Sequence, residues 1–308
     1  MLDSPFFTTS TLRGWCGSPV QQLSGPLDQL RRQIPRFARR MGVCGDDMVL
    51  RQPMTPGERE RIVARVSSNY QLVQHHDVLD AIESLLPQLD AGAARVPASV
   101  VLSPDGERMD VTVELPCARY VPGDGFDLAV RIRVRNSVDK SCALYGGIEF
   151  LRTICTNGMT AWRGSVLRRV HNRPSALEHV RRHLLKGFDQ LSLDHAHFEK
   201  LLNNPVDPGR LPGWVDEVVA PAWDCWDAAR AFHIATTGFD GAVKRRSNVP
   251  PHRLELLQPR IVPGACAPAA NAYHVMQALS YVASRLPWLH TRETRLAGIA
   301  TLMEPLLN

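Results

Sequence analysis

The chain has 308 residues, 44% hydrophobic and 22% charged, with 36 Lys/Arg against 31 Asp/Glu and a formal net charge of +5. That balance excludes a wholly disordered chain, a collagen and a disulfide-dense miniprotein, and the length suits about two domains or one domain with an appended helical half. No run of ~18 apolar residues occurs, so no membrane-spanning helix is expected, and the first residues lack the basic start and apolar run of a secretory signal.

Cys16, Cys44, Cys117, Cys142, Cys155, Cys225 and Cys266 are odd in number and widely spaced, with no Cys-x-x-Cys pair. Reduced thiols in a cytoplasm are the simplest reading, rather than a disulfide framework or a zinc ribbon. The charge is unevenly spread. Residues 131–186 hold twelve Arg/Lys against Asp139, Glu149 and Glu178, a net of +9, while the rest of the chain nets −4. Only four of the 36 cations are lysines.

In chain order, residues 1–55 read as an irregular basic N-terminal arm, broken by Pro5, Gly14, Gly17, Pro19, Gly25 and Pro26. A short helix over Leu27–Met41, interrupted by Pro35, carries Arg31, Arg32, Arg36, Arg39 and Arg40. These arginines suit a solvated arm or one that touches nucleic acid or another subunit. Thr55-Pro56-Gly57-Glu58 predicts a helix start, with Ile62, Val63 and Val66 in the following turns. Val78, Leu79, Ile82, Leu85 and Leu86 predict an amphipathic helix ending at Pro87.

Strands are predicted over 98–102, 109–115 and 126–135, the first two joined by a turn at Ser103-Pro104-Asp105-Gly106. Residues 141–154 predict a fourth strand or the end of a sheet meeting a helix, with bends at Gly146-Gly147 and Asn157-Gly158. Helical spacing then dominates, over 176–188, 192–202, 214–231 and 270–286. The expected class is α+β: a small antiparallel sheet with a β-β-β-α core, flanked by helices, in 56–186, and a mostly helical C-terminal region in 187–308.

The clearest constellation is Arg131-Ile132-Arg133-Val134-Arg135. On a strand the three guanidiniums share one face at about 7 Å spacing while Ile132 and Val134 face a core. That spacing suits a phosphate chain, unless Glu107, Asp110 or Glu114 pairs with the arginines across strands. Lys140, Arg152, Arg163, Arg168 and Arg169 extend the track, and Trp162 is placed to stack a base. Arg173, Arg181, Arg182 and Lys186 add charge, opposed only by Glu178.

His179 and His183 stand at i, i+4 without the glutamate of the zinc-protease motif, and read as a helix face. Asp224 and Asp227 around Cys225 read as a half-buried helix. No base accompanies Cys155, and no phosphate-binding loop, dinucleotide fingerprint or nucleophile elbow occurs. No cofactor, metal site or catalytic residue is therefore predicted.

Three segments carry a resemblance. Tyr70-Gln-Leu-Val-Gln-His-His-Asp77, Arg135-Asn136-Ser137 to Ser141, and Gly147-Ile-Glu-Phe-Leu-Arg152-Thr-Ile-Cys155-Thr-Asn157-Gly158-Met159-Thr160 resemble the phage/plasmid-like proteins of domain-of-unknown-function family 932. Asn271–Val275 through Tyr281 is similar to that family's C-terminal helix, whereas the 136–141 loop lacks the glycine of the family pattern. The resemblance implies a protein of a mobile element, found with recombination and replication functions. More distantly, the basic 98–185 core looks like Rad52-type single-strand annealing proteins.

The expectation is a cytoplasmic, non-enzymatic binder of single-stranded DNA, promoting ATP-independent annealing in recombination, with no membrane partner. It would work as a homo-oligomer or ring that lengthens the track. The alternative is a protein-interaction, anti-defence or regulatory factor that uses the basic region against an acidic protein. A metal-dependent nuclease is a third reading, without clustered carboxylates on predicted strands to support it.

Overall fold

The computed structural model describes residues 20–42, 46–89, 96–121, 128–152, 159–161, 167–169, 176–189, 191–244, 246, 248–286 and 289–307. From residue 20 the expected irregular arm is instead regular structure. β1 (Gln21–Pro26) leads into a single helical turn, α1 (Leu27–Leu30), and a 3-10 turn over Arg31–Gln33. β2 (Phe37–Met41), β3 (Asp47–Arg51) and β4 (Arg61–Val66) then form a three-stranded antiparallel sheet in that order.

Two helix expectations are corrected here. Pro35 disfavours the helical conformation at the residue before it, and Ile34 is extended (φ −95°, ψ 127°), so the chain leaves α1 as a strand. At 55–58, Gly57 takes φ +88° and turns the chain. The Glu58 carboxylate accepts the Met54 N–H (2.9 Å) and the Arg51 guanidinium instead of closing a capping box. Ile62 pairs with Leu50 and Val66 with Asp47, the extended use that β-branched side chains favour. Phe37, Val49 and Val66 pack with Tyr70 and Val138 into a core of their own.

α2 (His75–Glu83) begins at a capping box in which Gln74 accepts from the Asp77 N–H and the Asp77 carboxylate accepts the Gln74 N–H (3.1 Å). Val78, Leu79 and Ile82 form its buried face, as the spacing predicts, but the helix ends at Glu83 instead of running to Pro87, which lies in a 3-10 turn over Leu86–Leu89. The predicted hairpin follows as β5 (Pro97–Leu102) and β6 (Arg108–Tyr120), with Gly106 at φ +71° donating its N–H to the Ser103 carbonyl (2.8 Å). β7 (Leu128–Ser137) and β8 (Leu144–Arg152) continue the meander. β1 joins the β5 edge, and β9 (Met159–Ala161) and β10 (Leu167–Arg169) both pair with β8, giving seven antiparallel strands.

One face of this sheet is mostly apolar: Val100 and Leu102, Val111 and Val113, Val130, Ile132 and Val134, Leu144 and Ile148 are all buried. α3 (Ala176–Asp189) lies on it through Val180 and Leu184. Gly146 was expected at a bend; it lies inside β8, because a Cβ there would meet Val180 Cγ1 at 2.4 Å.

The C-terminal half is mostly helical. α4 (Leu191–Leu202), α5 (Leu211–Trp214), a π-turn over Val215–Val219, α6 (Ala220–Ala222) and α7 (Cys225–Thr237) precede a hairpin of β11 (Phe239–Val243) and β12 (Leu256–Ile261). α8 (Ala272–Ser284) and α9 (Leu289–Leu307) follow. The helix expected over 214–231 is split, because Asp224 adopts extended backbone and accepts the N–H groups of Trp226 (2.9 Å) and Asp227 (2.8 Å), starting α7 afresh. Arg295 of α9 bonds to both Asp224 and Asp227, which makes this cluster a helix-to-helix clamp. The hairpin and α9 were not anticipated from spacing. No helix among the described residues is long and apolar enough to cross a membrane.

Candidate nucleic-acid interface

Arg131, Arg133 and Arg135 occupy one face of β7, opposite Ile132 and Val134, as strand alternation requires. That face is not open to solvent. Arg131 is 8% exposed and Arg135 6%, with Asp110 at 6% and Glu149 at 0%. Glu149, opposite Arg131 on β8, accepts the Arg131 Nε–H at 2.6 Å and Arg133 Nη1 at 3.3 Å. Asp110, opposite Arg135 on β6, accepts Arg133 Nε (2.8 Å) and Nη2 (2.6 Å), and Arg135 Nε (3.2 Å) and Nη2 (3.1 Å). The Arg135 guanidinium also lies 5.4 Å from the centre of the Tyr145 ring.

The phosphate-contact role expected for these three side chains is therefore corrected. They are the cationic half of a buried ion ladder. Burial opposes ionisation of Asp110, but the Arg133 and Arg135 charges and their hydrogen bonds outweigh it and hold its pKa down to about 2. Of the three acids weighed as cross-strand partners, Asp110 is the one bonded to these arginines. Glu149, which the sequence reading did not weigh, is the other.

The remaining expected contacts divide. Lys140 is exposed, at φ +66°, where the Asp139 carboxylate accepts the Ser141 N–H at 2.9 Å. Arg152, Arg168 and Arg169 lie in β8 and β10 by their backbone, and their side chains fall outside the described residues. Trp162, Arg163, Arg173 and Cys155 also lie outside the described residues. On α3, Arg181 and Arg182 are within 3.8 and 3.6 Å of Glu178. No group of three or more His, Cys, Asp or Glu among the described residues is placed to hold a metal ion.

An open basic surface lies elsewhere. Residues 31–65 carry nine arginines against four carboxylates, a net of +5 that equals the charge of the whole chain. Arg39 and Arg51 are structural: Arg39 bonds to Asp47 and to the Tyr70 (2.7 Å) and Ser68 (2.6 Å) carbonyls, and Arg51 bonds to Glu58. Arg40 pairs with Glu60 at 2.9 Å and Arg61 with Asp105 at 3.2 Å. Arg32, Arg36, Arg59 and Arg65 are exposed, and among the described residues no carboxylate pairs with them.

On the face of the small sheet away from Phe37, Val49 and Val66, Arg40, Met48 and Arg65 form one cross-strand row and Ala38, Leu50 and Ile62 the next. Ile62 is 57% exposed, and Met41 at the strand end 88%. The helix reading of 58–66 hides Arg59 and Arg65, and the irregularity at Val63 breaks the two-residue alternation along β4, so that Ile62 and Arg65 share a face.

No family model, no curated protein and no solved structure matches this chain.

Proposed function

We propose that this protein binds single-stranded nucleic acid without chemistry of its own, and that the small sheet with its entry turn is the surface that does so. Arg32, Arg36, Arg59 and Arg65, solvent-facing and without carboxylate partners among the described residues, carry the reading. Phosphates are neutralised by arginines that no acid has already claimed, and each one neutralised releases counterions. The exposed Ile62 side chain beside them offers an unstacked base an apolar contact. Strand annealing for a mobile element, by copies set side by side, is the process such a surface would serve, since annealing needs only a neutralised backbone with bases left accessible.

The test is retention of a labelled single-stranded oligonucleotide by the full chain at two salt concentrations. Wild type is expected to bind with a steep salt dependence, and Arg59→Glu/Arg65→Glu to bind at least about tenfold more weakly, with a salt slope reduced by about 2. Normal affinity in that variant would overturn the assignment.

A second reading is favoured by Met41 and Ile62, whose apolar exposure beside arginines also suits an acidic protein partner. Absence of any oligonucleotide retention by wild type would favour it.

A further inference from the structure

Beside the small sheet, where the 3-10 turn, the β3–β4 loop and the start of α2 meet, lies a cavity of about 420 Å³. Its size falls in the range of small-molecule sites. Arg31, Arg32 and Arg36 line it together with the apolar side chains of Ile34 and Met54 and the ring of His76. Arg31 is held by Asp80 and by Glu83 at 3.0 Å, so its charge is answered within the fold. Arg32 and Arg36 have no such acid among the described residues.

The frame around the cavity is fixed. The Gln52 N–H donates to the Arg36 carbonyl at 2.8 Å, tying the β3–β4 loop to the chain before β2. The Gln74 side chain donates to the Phe37 carbonyl (2.5 Å) and accepts the Phe37 N–H (3.1 Å), tying β2 to the helix start.

The two histidines that open α2 are treated differently. His75 Nδ1 accepts from Asn136 Nδ2 at 2.9 Å, and its Nε2–H donates to the Gly106 carbonyl at 2.8 Å. His76 is 6% exposed and its Nδ1 is buried without any hydrogen-bond partner. Two exposed guanidiniums with no carboxylate partner among the described residues, beside the apolar side chains of Ile34 and Met54, make a site for an anion with an organic body.

We propose that this cavity binds the phosphate group of a small phosphorylated ligand, with Arg32 and Arg36 gripping the phosphate oxygens. Ile34 and Met54 then cover the organic part where there is one. The inference goes beyond the polymer-binding proposal and stands if that one fails, because its ligand has a single phosphate.

Titration calorimetry on the full chain tests it with three probes: adenosine 5′-monophosphate, inorganic phosphate and adenosine. Binding of the monophosphate or of phosphate, with none of adenosine, is the expected result. The ratio of the first two tells an esterified from a free phosphate. Arg32→Glu/Arg36→Glu, both exposed positions, should weaken that binding at least tenfold, whereas Arg59→Glu/Arg65→Glu should leave it unchanged even where oligonucleotide binding is lost. The proposal is overturned if neither phosphate-bearing probe binds at millimolar concentration, if adenosine binds as well as its monophosphate, or if the sheet variant loses the binding as fully as the cavity variant.

Discussion

Two sheets in this molecule carry arginines on and beside their strands, and they use them in opposite ways. In the seven-stranded sheet Arg131, Arg133 and Arg135 lie under cover, bonded to Asp110 and Glu149. In the three-stranded sheet and its flanks, Arg59 and Arg65 stand in solvent with no acid opposite them among the described residues. Linear charge does not separate the regions: 131–186 nets +9 over 56 residues and 31–65 nets +5 over 35, nearly the same density. Whether a strand cation is available to a ligand depends on its cross-strand neighbour and on what covers the face, and neither is a property of the strand's own sequence.

The strongest way to break this comparison is to remove a ladder acid. Asp110→Ala leaves Arg133 and Arg135 buried with an uncompensated charge, and should destabilise the fold by about 3–5 kcal/mol in urea unfolding. A loss below about 1 kcal/mol would mean the ladder is effectively solvated. Acid probes the same group more gently. Asp110 ionises near pH 2 in the fold against 3.8 as an ordinary carboxyl, so its contribution is complete above pH 3.8 and fades as pH falls through 2. About 2 kcal/mol should disappear across that interval, and the step should be absent from Asp110→Asn.

Next in size is the contrast in binding. Arg59→Glu/Arg65→Glu should cost about tenfold in oligonucleotide affinity with little change in unfolding midpoint, whereas Arg133→Glu should lower the midpoint sharply. The reverse pattern would exchange the roles of the two sheets. The smallest effect sits where the sheets join. Lys140 holds φ +66°, a conformation natural to glycine. Lys140→Gly should therefore raise stability by about 1 kcal/mol, measurable as a higher midpoint in urea unfolding.

Local features were legible where the neighbours in sequence decide them. The Ser103–Gly106 turn, the alternation of Val111, Val113 and Leu115, and the apolar stripe of α2 all formed as spacing predicts. Reading failed where a distant strand decided. Arg61–Val66 has a plausible helix start before it, yet pairing with β3 makes it a strand, and Gly146 looks like a bend until α3 occupies the space a side chain would need. The site fared likewise. Arg32 and Arg36 were noticed as arm residues, while Arg59 and Arg65 stayed hidden behind the helix reading and a bulge.

By itself the sequence determined an α+β chain with a helical C-terminal half, and which residues of each strand would share a face, because composition and two-residue alternation act over short distances. Only the tertiary structure decided which cations remain available. A guanidinium is silenced by a carboxylate from another strand or left free by its absence, and that choice is made by pairing between segments far apart in the chain.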